Sequence, residues 1–106
     1  MTKNFKIYQV NKSAENARYI LFSPLEFVLD NNLGLSLDKY NLIYEGSIEV
    51  HEGESNMTVL DNIFTTFNTA RPDFTGRSLS VSDIVEMDGK YYYCDSYGWE
   101  EVELEK

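Results

Sequence analysis

Cysteine, histidine and proline are scarce in this chain of 106 residues, which contains one cysteine, one histidine and two prolines. A lone cysteine excludes an internal disulfide framework and a metal site built from several thiolates of one chain. No apolar run approaches the roughly 18 residues of a membrane-spanning helix, and the first residues lack the apolar segment of a secretory signal. The sequence therefore predicts a cytoplasmic protein with no metal, no cofactor and no membrane partner.

Basic residues are also few: nine lysines and arginines stand against 18 aspartates and glutamates, and the net charge is −9. This sign disfavours a classical binder of nucleic acid or of an anionic membrane, because such partners attract Lys and Arg. The acids are concentrated in residues 38–61, with six acids and one base, and in residues 83–105, with eight acids and one base. Such a charge distribution suits either plain solubility or association with a basic partner.

Two helices are predicted from start signals and apolar spacing. The first spans residues 24–32, where Ser23 and Pro24 form a helix start and Gly34 is a natural residue just beyond the end. The second begins at Ser55 or Asn56, and its apolar residues recur at helical spacing, which is typical of a helix packed on a core. These core residues are Met57, Leu60, Ile63, Phe64 and Phe67.

Extended segments are predicted at residues 5–10, 19–22 and 40–50, with a bulge or bend at Gly46. Residues 79–87 keep a strand phase apart from Asp83, and Asp88-Gly89 is the signature of a two-residue type I′ hairpin. A second turn at residues 95–98 leads into a last strand over residues 99–104. We therefore predict one α+β domain over residues 1–106, an antiparallel sheet with a C-terminal three-strand meander and two helices packed on one face.

No catalytic constellation is evident, so the protein is predicted not to be an enzyme. The single His51 lies in an acidic loop, where a solvated imidazole is expected, and Cys94 follows three tyrosines as a small core residue. Carboxylate pairs arise readily in a chain with 18 acids, and glycoside or phosphodiester cleavage would require them to converge across a cleft or on a metal. Asp83 is interpreted as a hydrogen-bond acceptor for loop amides or for nearby serines.

Binding chemistry is easier to find than catalysis. Arg71 and Arg77 flank the loop over residues 72–76, where they either present guanidinium groups to an anion or neutralise Asp73 or Asp83. The tyrosine-rich C-terminal hairpin combines aromatic rings with acids, which favours a protein-binding surface over a single-strand stacking platform. The candidate partner-binding residues are Glu45, Glu49, Glu52, Glu54, Arg71, Arg77, Tyr97, Trp99, Glu100, Glu101 and Glu103.

A longer pattern connects these segments. It reads Pro72-Asp73-Phe74-x-Gly76-x-Ser78-Leu79-Ser80-Val81-Ser82-Asp83-Ile84-Val85, followed by Tyr92-x-Cys94-Asp95-Ser96-x-Gly98-Trp99-x-x-Val102. This pattern resembles the YodL-like domain, and compatible pieces at residues 6–9, 18–22 and 40–46 extend the resemblance over nearly the whole chain. The family implies a small α+β module of mobile elements in low-GC bacteria, often fused to conjugation-related proteins and without an established catalytic set.

Short stand-alone proteins of this kind resemble type II-A anti-CRISPR proteins of phages and conjugative elements. The resemblance implies an inhibitor, a monomer or weak dimer in the bacterial cytoplasm, that binds a type II CRISPR effector nuclease or its guide complex. It would block guide RNA loading or DNA engagement through its acidic surface. Two alternatives remain: a factor that trims guide RNA, and an accessory adaptor domain of a conjugative element.

Overall fold

The computed structural model describes residues 1–68 and 79–104, which form an antiparallel five-stranded sheet with the strand order β2-β1-β3-β4-β5. The strands are β1 (Thr2–Val10), β2 (Tyr40–Glu49), β3 (Ile84–Met87), β4 (Lys90–Asp95) and β5 (Gly98–Val102). The helices are α1 (Ala17–Ile20), α2 (Leu25–Asp30) and α3 (Asn56–Phe67), and a 3₁₀ turn covers Leu37–Lys39. The predicted α+β class is confirmed.

The C-terminal meander is confirmed together with its first turn. Asp88 has a φ of 57° and Gly89 a φ of 75°, the left-handed pair that a type I′ hairpin requires. Residues Ile84–Met87 pair with Tyr93–Lys90, and Tyr91–Asp95 pair with Val102–Gly98. The predicted strand over residues 79–87 is shorter than expected, because β3 begins only at Ile84.

Helices cover both faces of the sheet, so the prediction that two helices pack on one face is wrong. Phe5 and Ile7 of β1 belong to a core cluster with α3, whereas Tyr8 and Val10 belong to a second cluster with α1 and α2. Successive side chains of a strand point to opposite faces, so this alternation assigns the two clusters to the two sides of the sheet. β1, β3 and β4 each contribute buried residues to both clusters, which explains the run of tyrosines in β4.

The helix α3 follows its predicted pattern closely. The Ser55 hydroxyl accepts a hydrogen bond from the backbone N–H of Thr58 at 3.2 Å, as expected of a capping serine. Leu60, Ile63 and Phe67 are buried. Met57 is the exception, because it is 43% exposed on the first turn of the helix.

The helix α2 is shorter than predicted and ends differently. The backbone N–H groups of Asn32 and Leu33 donate to the carbonyls of Leu29 and Val28, and Asn32 has a φ of 51°. This is a Schellman arrangement in which Asn32, rather than Gly34, takes the left-handed position beyond the helix. Ser23 does not cap the helix; its hydroxyl donates to the Tyr19 carbonyl.

Two further expectations are corrected. Residues 19–22 are not extended, since α1 runs to Ile20 and Phe22 has a φ of 65°. The irregularity of β2 lies opposite Ile7 and Tyr8 rather than at Gly46. Gly46 is needed for another reason: a Cβ there would lie 2.7 Å from Cε2 of Tyr44, whose ring stacks on Phe5.

Candidate interaction surfaces

A buried polar cluster fixes the entry into β3. The Asp83 carboxylate, with no exposed surface, accepts hydrogen bonds from the Ser80 backbone N–H at 2.9 Å and from Gln9 Nε2 at 3.2 Å. The Asp83 carbonyl accepts from the Cys94 N–H at 2.8 Å. The interpretation of Asp83 as an acceptor for loop amides is confirmed, and buried Cys94 is a core residue as predicted.

Two of the predicted acidic residues, Glu45 and Glu49, lie on β2, which is one edge of the sheet. Both are exposed, and each has one weak ionic contact: Lys6 Nζ is 3.6 Å from Glu45, and the N-terminal amine is 3.2 Å from Glu49. The loop after β2 adds exposed Glu52 and half-buried Glu54. We call these four glutamates the β2 surface.

Glu54 has a structural task within this surface. Its carboxylate accepts hydrogen bonds from the His51 backbone N–H at 2.6 Å and from Asn62 Nδ2 at 3.3 Å. It therefore closes the loop between β2 and α3, while His51 itself is exposed. Glu45, Glu49 and Glu52 are the members of the β2 surface whose carboxylates are most open to a partner.

The other predicted acidic residues lie on the opposite edge. Glu100, Glu101 and Glu103 are exposed on β5 and just after it, and Lys90 Nζ is 3.7 Å from Glu101. Tyr97, at the tip of the turn between β4 and β5, is fully exposed. Opposite edges of this sheet are four strand spacings apart, or about 19 Å. The structure therefore separates the two acidic groups rather than bringing them onto one face.

Trp99 is buried, so the expectation that it presents its ring to a partner is wrong. It is 8% exposed and forms an edge-on contact with Phe64 of α3, with ring centroids 6.5 Å apart. It pairs with Cys94 across the hairpin, on the face that α3 covers. Glu101 lies two residues later on the same side of β5 and is exposed.

The helix α2 lies next to the β5 edge and enlarges the surface there. The sequence analysis did not predict this neighbour. The Leu25 N–H donates to Asp95 Oδ1 at 3.2 Å, the Tyr93 hydroxyl donates to the Ser23 carbonyl at 2.6 Å, and Leu29 lines one groove with Glu103. The exposed residues of this combined surface, which we call the β5–α2 surface, are Glu26, Phe27, Leu29, Asp30, Tyr97, Glu100 and Glu103. Phe27 and Leu29 were not among the predicted partner-binding residues, and no local pattern in the sequence marked them as exposed.

The sheet face next to β2 carries a polar row that neither helix layer covers. Lys6 lies between Glu45 and Glu86 on neighbouring strands, and an open groove of about 550 Å³ runs along this region. At its inner end the Tyr8 hydroxyl donates to Glu86 at 3.0 Å. Burial, followed by this bond to a carboxylate, raises the pKa of Tyr8 to about 12. Lys6 contacts Glu45, and Glu86 accepts the hydrogen bond from Tyr8, so these residues form a structural polar network.

Arg71, Arg77 and the loop between them lie outside the described residues. Within residues 1–68 and 79–104, no cluster of three or more His, Cys, Asp or Glu side chains is placed to hold a metal ion. In the same part of the chain, no helix is long and apolar enough to cross a membrane.

Residues 4–104 match the family model of the YodL-like domain. The chain belongs to the YodL-like domain family. Comparison with curated proteins gave no match, and comparison with solved structures gave none. The matched residues begin within β1 and include α1, α2, α3, the other four described strands and both acidic surfaces.

Proposed function

We propose that this YodL-like protein is a non-enzymatic, anti-CRISPR-type inhibitor. It binds a type II CRISPR effector nuclease, or the guide complex of that nuclease, and blocks guide RNA loading or DNA engagement. The β5–α2 surface carries this proposal, because it combines exposed carboxylates with the exposed side chains of Tyr97, Phe27 and Leu29.

The charge of the β5–α2 surface complements the expected target. CRISPR effector nucleases hold the guide–target duplex in positively charged channels and read the adjacent motif with basic side chains. Carboxylates on a small rigid protein can occupy such a channel and compete with phosphates for the same Lys and Arg residues. The proposed inhibitor thus uses the charge that disfavours direct nucleic-acid binding.

The exposed apolar residues of the β5–α2 surface can supply affinity that exposed charges alone do not. Exposed charge pairs contribute little net affinity, whereas partly desolvated aromatic side chains dominate most interfaces. Tyr97, Phe27 and Leu29 can bury apolar area while Glu100 and Glu103 set the orientation. Affinity is then expected to persist in part at salt concentrations that slow association.

The test is an order-of-addition experiment with purified nuclease, guide RNA and labelled target DNA. Inhibitor added before the guide is expected to reduce guide loading, or inhibitor added after it to reduce target binding. If neither step is reduced at excess inhibitor, the proposal is wrong. Electrophoresis of the recovered guide separates the trimming alternative, since shortened guide would indicate cleavage and intact guide a binder.

Charge reversal locates the contact. The double variant Glu100→Lys/Glu103→Lys is expected to weaken nuclease binding at least about tenfold, because each change replaces an attraction to a basic partner with a like-charge repulsion. Glu101 is left in place because it contacts Lys90. The control Glu15→Lys/Asp61→Lys makes the same change in net charge at exposed sites outside both acidic surfaces. Equal losses in both variants would mean that only total charge matters.

The adaptor alternative makes a different prediction. A domain that serves a conjugative element would co-purify with proteins of that element and leave the nuclease active. Co-purification from a host that contains both the nuclease and the element distinguishes these partners directly.

A further inference from the structure

The β2 edge of the sheet has the geometry of a docking strand. We propose that β2 receives an extended segment of the partner protein, with alternating basic and apolar side chains, as an added sixth strand. This inference adds a mode of contact to the proposed function. It rests on that function in one respect, which is that the partner is a basic protein.

The first observation is a long regular edge. In the part of the chain that the structure describes, β2 has β1 on one side and no strand on the other. From Tyr44 to Glu49 its register with β1 is unbroken, because the irregularity lies before Tyr44. The main-chain groups on the outer side of this stretch can pair with an extended peptide, which is the basis of recognition by strand addition.

The second observation is that the two faces of this edge differ in chemistry. Tyr44 and Ile48 point to the α3 side, where both are half-buried against the core. Glu45, Ser47 and Glu49 point to the other side and are exposed. An added strand would place apolar side chains beside Tyr44 and Ile48 and basic side chains beside the two glutamates.

In the register centred on Ser47, charge disfavours a second copy of this protein as the occupant. In an antiparallel pair of β2 strands centred on Ser47, Glu45 of each copy would lie opposite Glu49 of the other. Like charges directly opposite on neighbouring strands are destabilising. A basic strand turns the same two positions into favourable cross-strand pairs.

The β5 edge does not offer the same geometry. β5 is shorter, covering Gly98–Val102, and it begins at a glycine with a φ of 94° after the turn. Its neighbour α2 places Leu29 beside Glu103. Strand addition is therefore assigned to β2, and side-chain docking to the β5–α2 surface.

The test uses isotope-labelled full-length protein and a synthetic peptide in which Lys and Val alternate. Binding is followed by amide chemical shifts and by hydrogen exchange. The peptide is expected to shift resonances of residues 44–49 and to slow exchange of alternate amides there. Two control peptides are a Glu/Val peptide of the same length and a Lys/Val peptide N-methylated at every second residue, which cannot complete the ladder.

A pair of matched variants completes the test. Glu45→Lys/Glu49→Lys is expected to lose peptide affinity at least about tenfold, whereas Glu100→Lys/Glu103→Lys at the opposite edge retains it. Thermal midpoints of both variants are measured to confirm that each is folded. Absence of binding, equal binding of the N-methylated peptide, or shifts confined to β5 would overturn the proposal. Concentration-dependent dimerisation through β2 without peptide would assign the edge to a second copy and overturn it as well.

No nuclease is present in this experiment, so its failure and the failure of the proposed function are separable. A peptide that docks on β2 in a protein that does not inhibit the nuclease would support strand addition and reject the inhibitor. Inhibition without peptide docking would leave the β5–α2 surface as the contact and reject strand addition.

Discussion

The two edges of the sheet have the same sign of charge and present it by different means. At the β2 edge, Glu45 and Glu49 lie on a long strand that, among the residues the structure describes, pairs with another strand on one side only. At the β5 edge, Glu100 and Glu103 stand beside a short strand, and α2 adds exposed apolar side chains. Acidity alone therefore does not define a binding mode, because one edge offers backbone pairing and the other offers side-chain contacts.

The largest expected effect is on the free energy of unfolding, when the aromatic side chain that packs each edge strand on the core is removed. Trp99→Ala at the β5 edge is expected to lower the free energy of unfolding by about 3–5 kcal/mol, because a large buried ring is removed. Tyr44→Ala at the β2 edge is expected to cost about half as much, since Tyr44 is only half-buried. Urea unfolding followed by far-ultraviolet circular dichroism measures both variants, including the one that lacks the single tryptophan. Equal losses would show that the two edges are anchored alike.

A smaller effect is expected at Gly46. Gly46→Ala would bring a Cβ to 2.7 Å from the ring of Tyr44, which Phe5 and Phe67 hold at centroid distances of 5.9 and 4.7 Å. The crowding is expected to cost about 1–2 kcal/mol, and Ser47→Ala, an exposed neighbour, less than about 0.5 kcal/mol.

Thermodynamic coupling provides the check on that mechanism. If the cost of Gly46→Ala comes from Tyr44, the double variant Tyr44→Ala/Gly46→Ala should be no less stable than Tyr44→Ala alone. Additive losses would show instead that the glycine backbone conformation matters.

The smallest effect is expected from removing one hydroxyl near each edge. Tyr8, which pairs with Leu42 of β2, has its pKa raised to about 12 by burial and by Glu86. Unfolded tyrosine ionises near pH 10, so the stabilisation is complete below about pH 10 and is lost as pH rises towards 12. Burial and nearby Asp95 likewise raise the pKa of Tyr93, which pairs with Glu100 of β5.

The measurement is the pH dependence of the free energy of unfolding. Tyr8→Phe and Tyr93→Phe should each cost about 0.5–1.5 kcal/mol at neutral pH and should each reduce the decline above pH 10. Tyr97→Phe, which changes a fully exposed side chain, is the matched control. A decline that is unchanged in both core variants would contradict the role assigned to the two hydroxyl groups.

Local signals in the sequence predicted local structure well. The Asp88-Gly89 turn, the Ser55 cap and the apolar stripe of α3 each depend on neighbouring residues, and each is confirmed apart from the exposed Met57. The role of Asp83 as a hydrogen-bond acceptor was also predictable from its neighbours, because the serines and loop amides beside it are donors. The left-handed residue beyond α2 is Asn32 rather than Gly34, which shows that two nearby residues can both suit the same position at a helix end.

Arrangement in space was less predictable. Which face each helix covers depends on pairings between distant strands, so neither the opposite placement of α2 and α3 nor the exposure of Phe27 and Leu29 follows from periodicity. Trp99 is buried because β4 holds it under α3, although its acidic neighbours suggested a surface residue. Separation of the two acidic groups likewise follows from the strand order, which no local pattern in the sequence specifies.

The interior position of β1 has a consequence for how the chain folds. β1 is the first strand in the sequence, yet it lies between β2 and β3, and its Tyr8 bonds to Glu86, 78 positions later. Contacts of such long range form slowly because closing the intervening loop costs entropy. During synthesis, the β1–β2 pair must wait with one side of β1 open until the C-terminal hairpin emerges. We expect this interval to be when the protein is most vulnerable to aggregation.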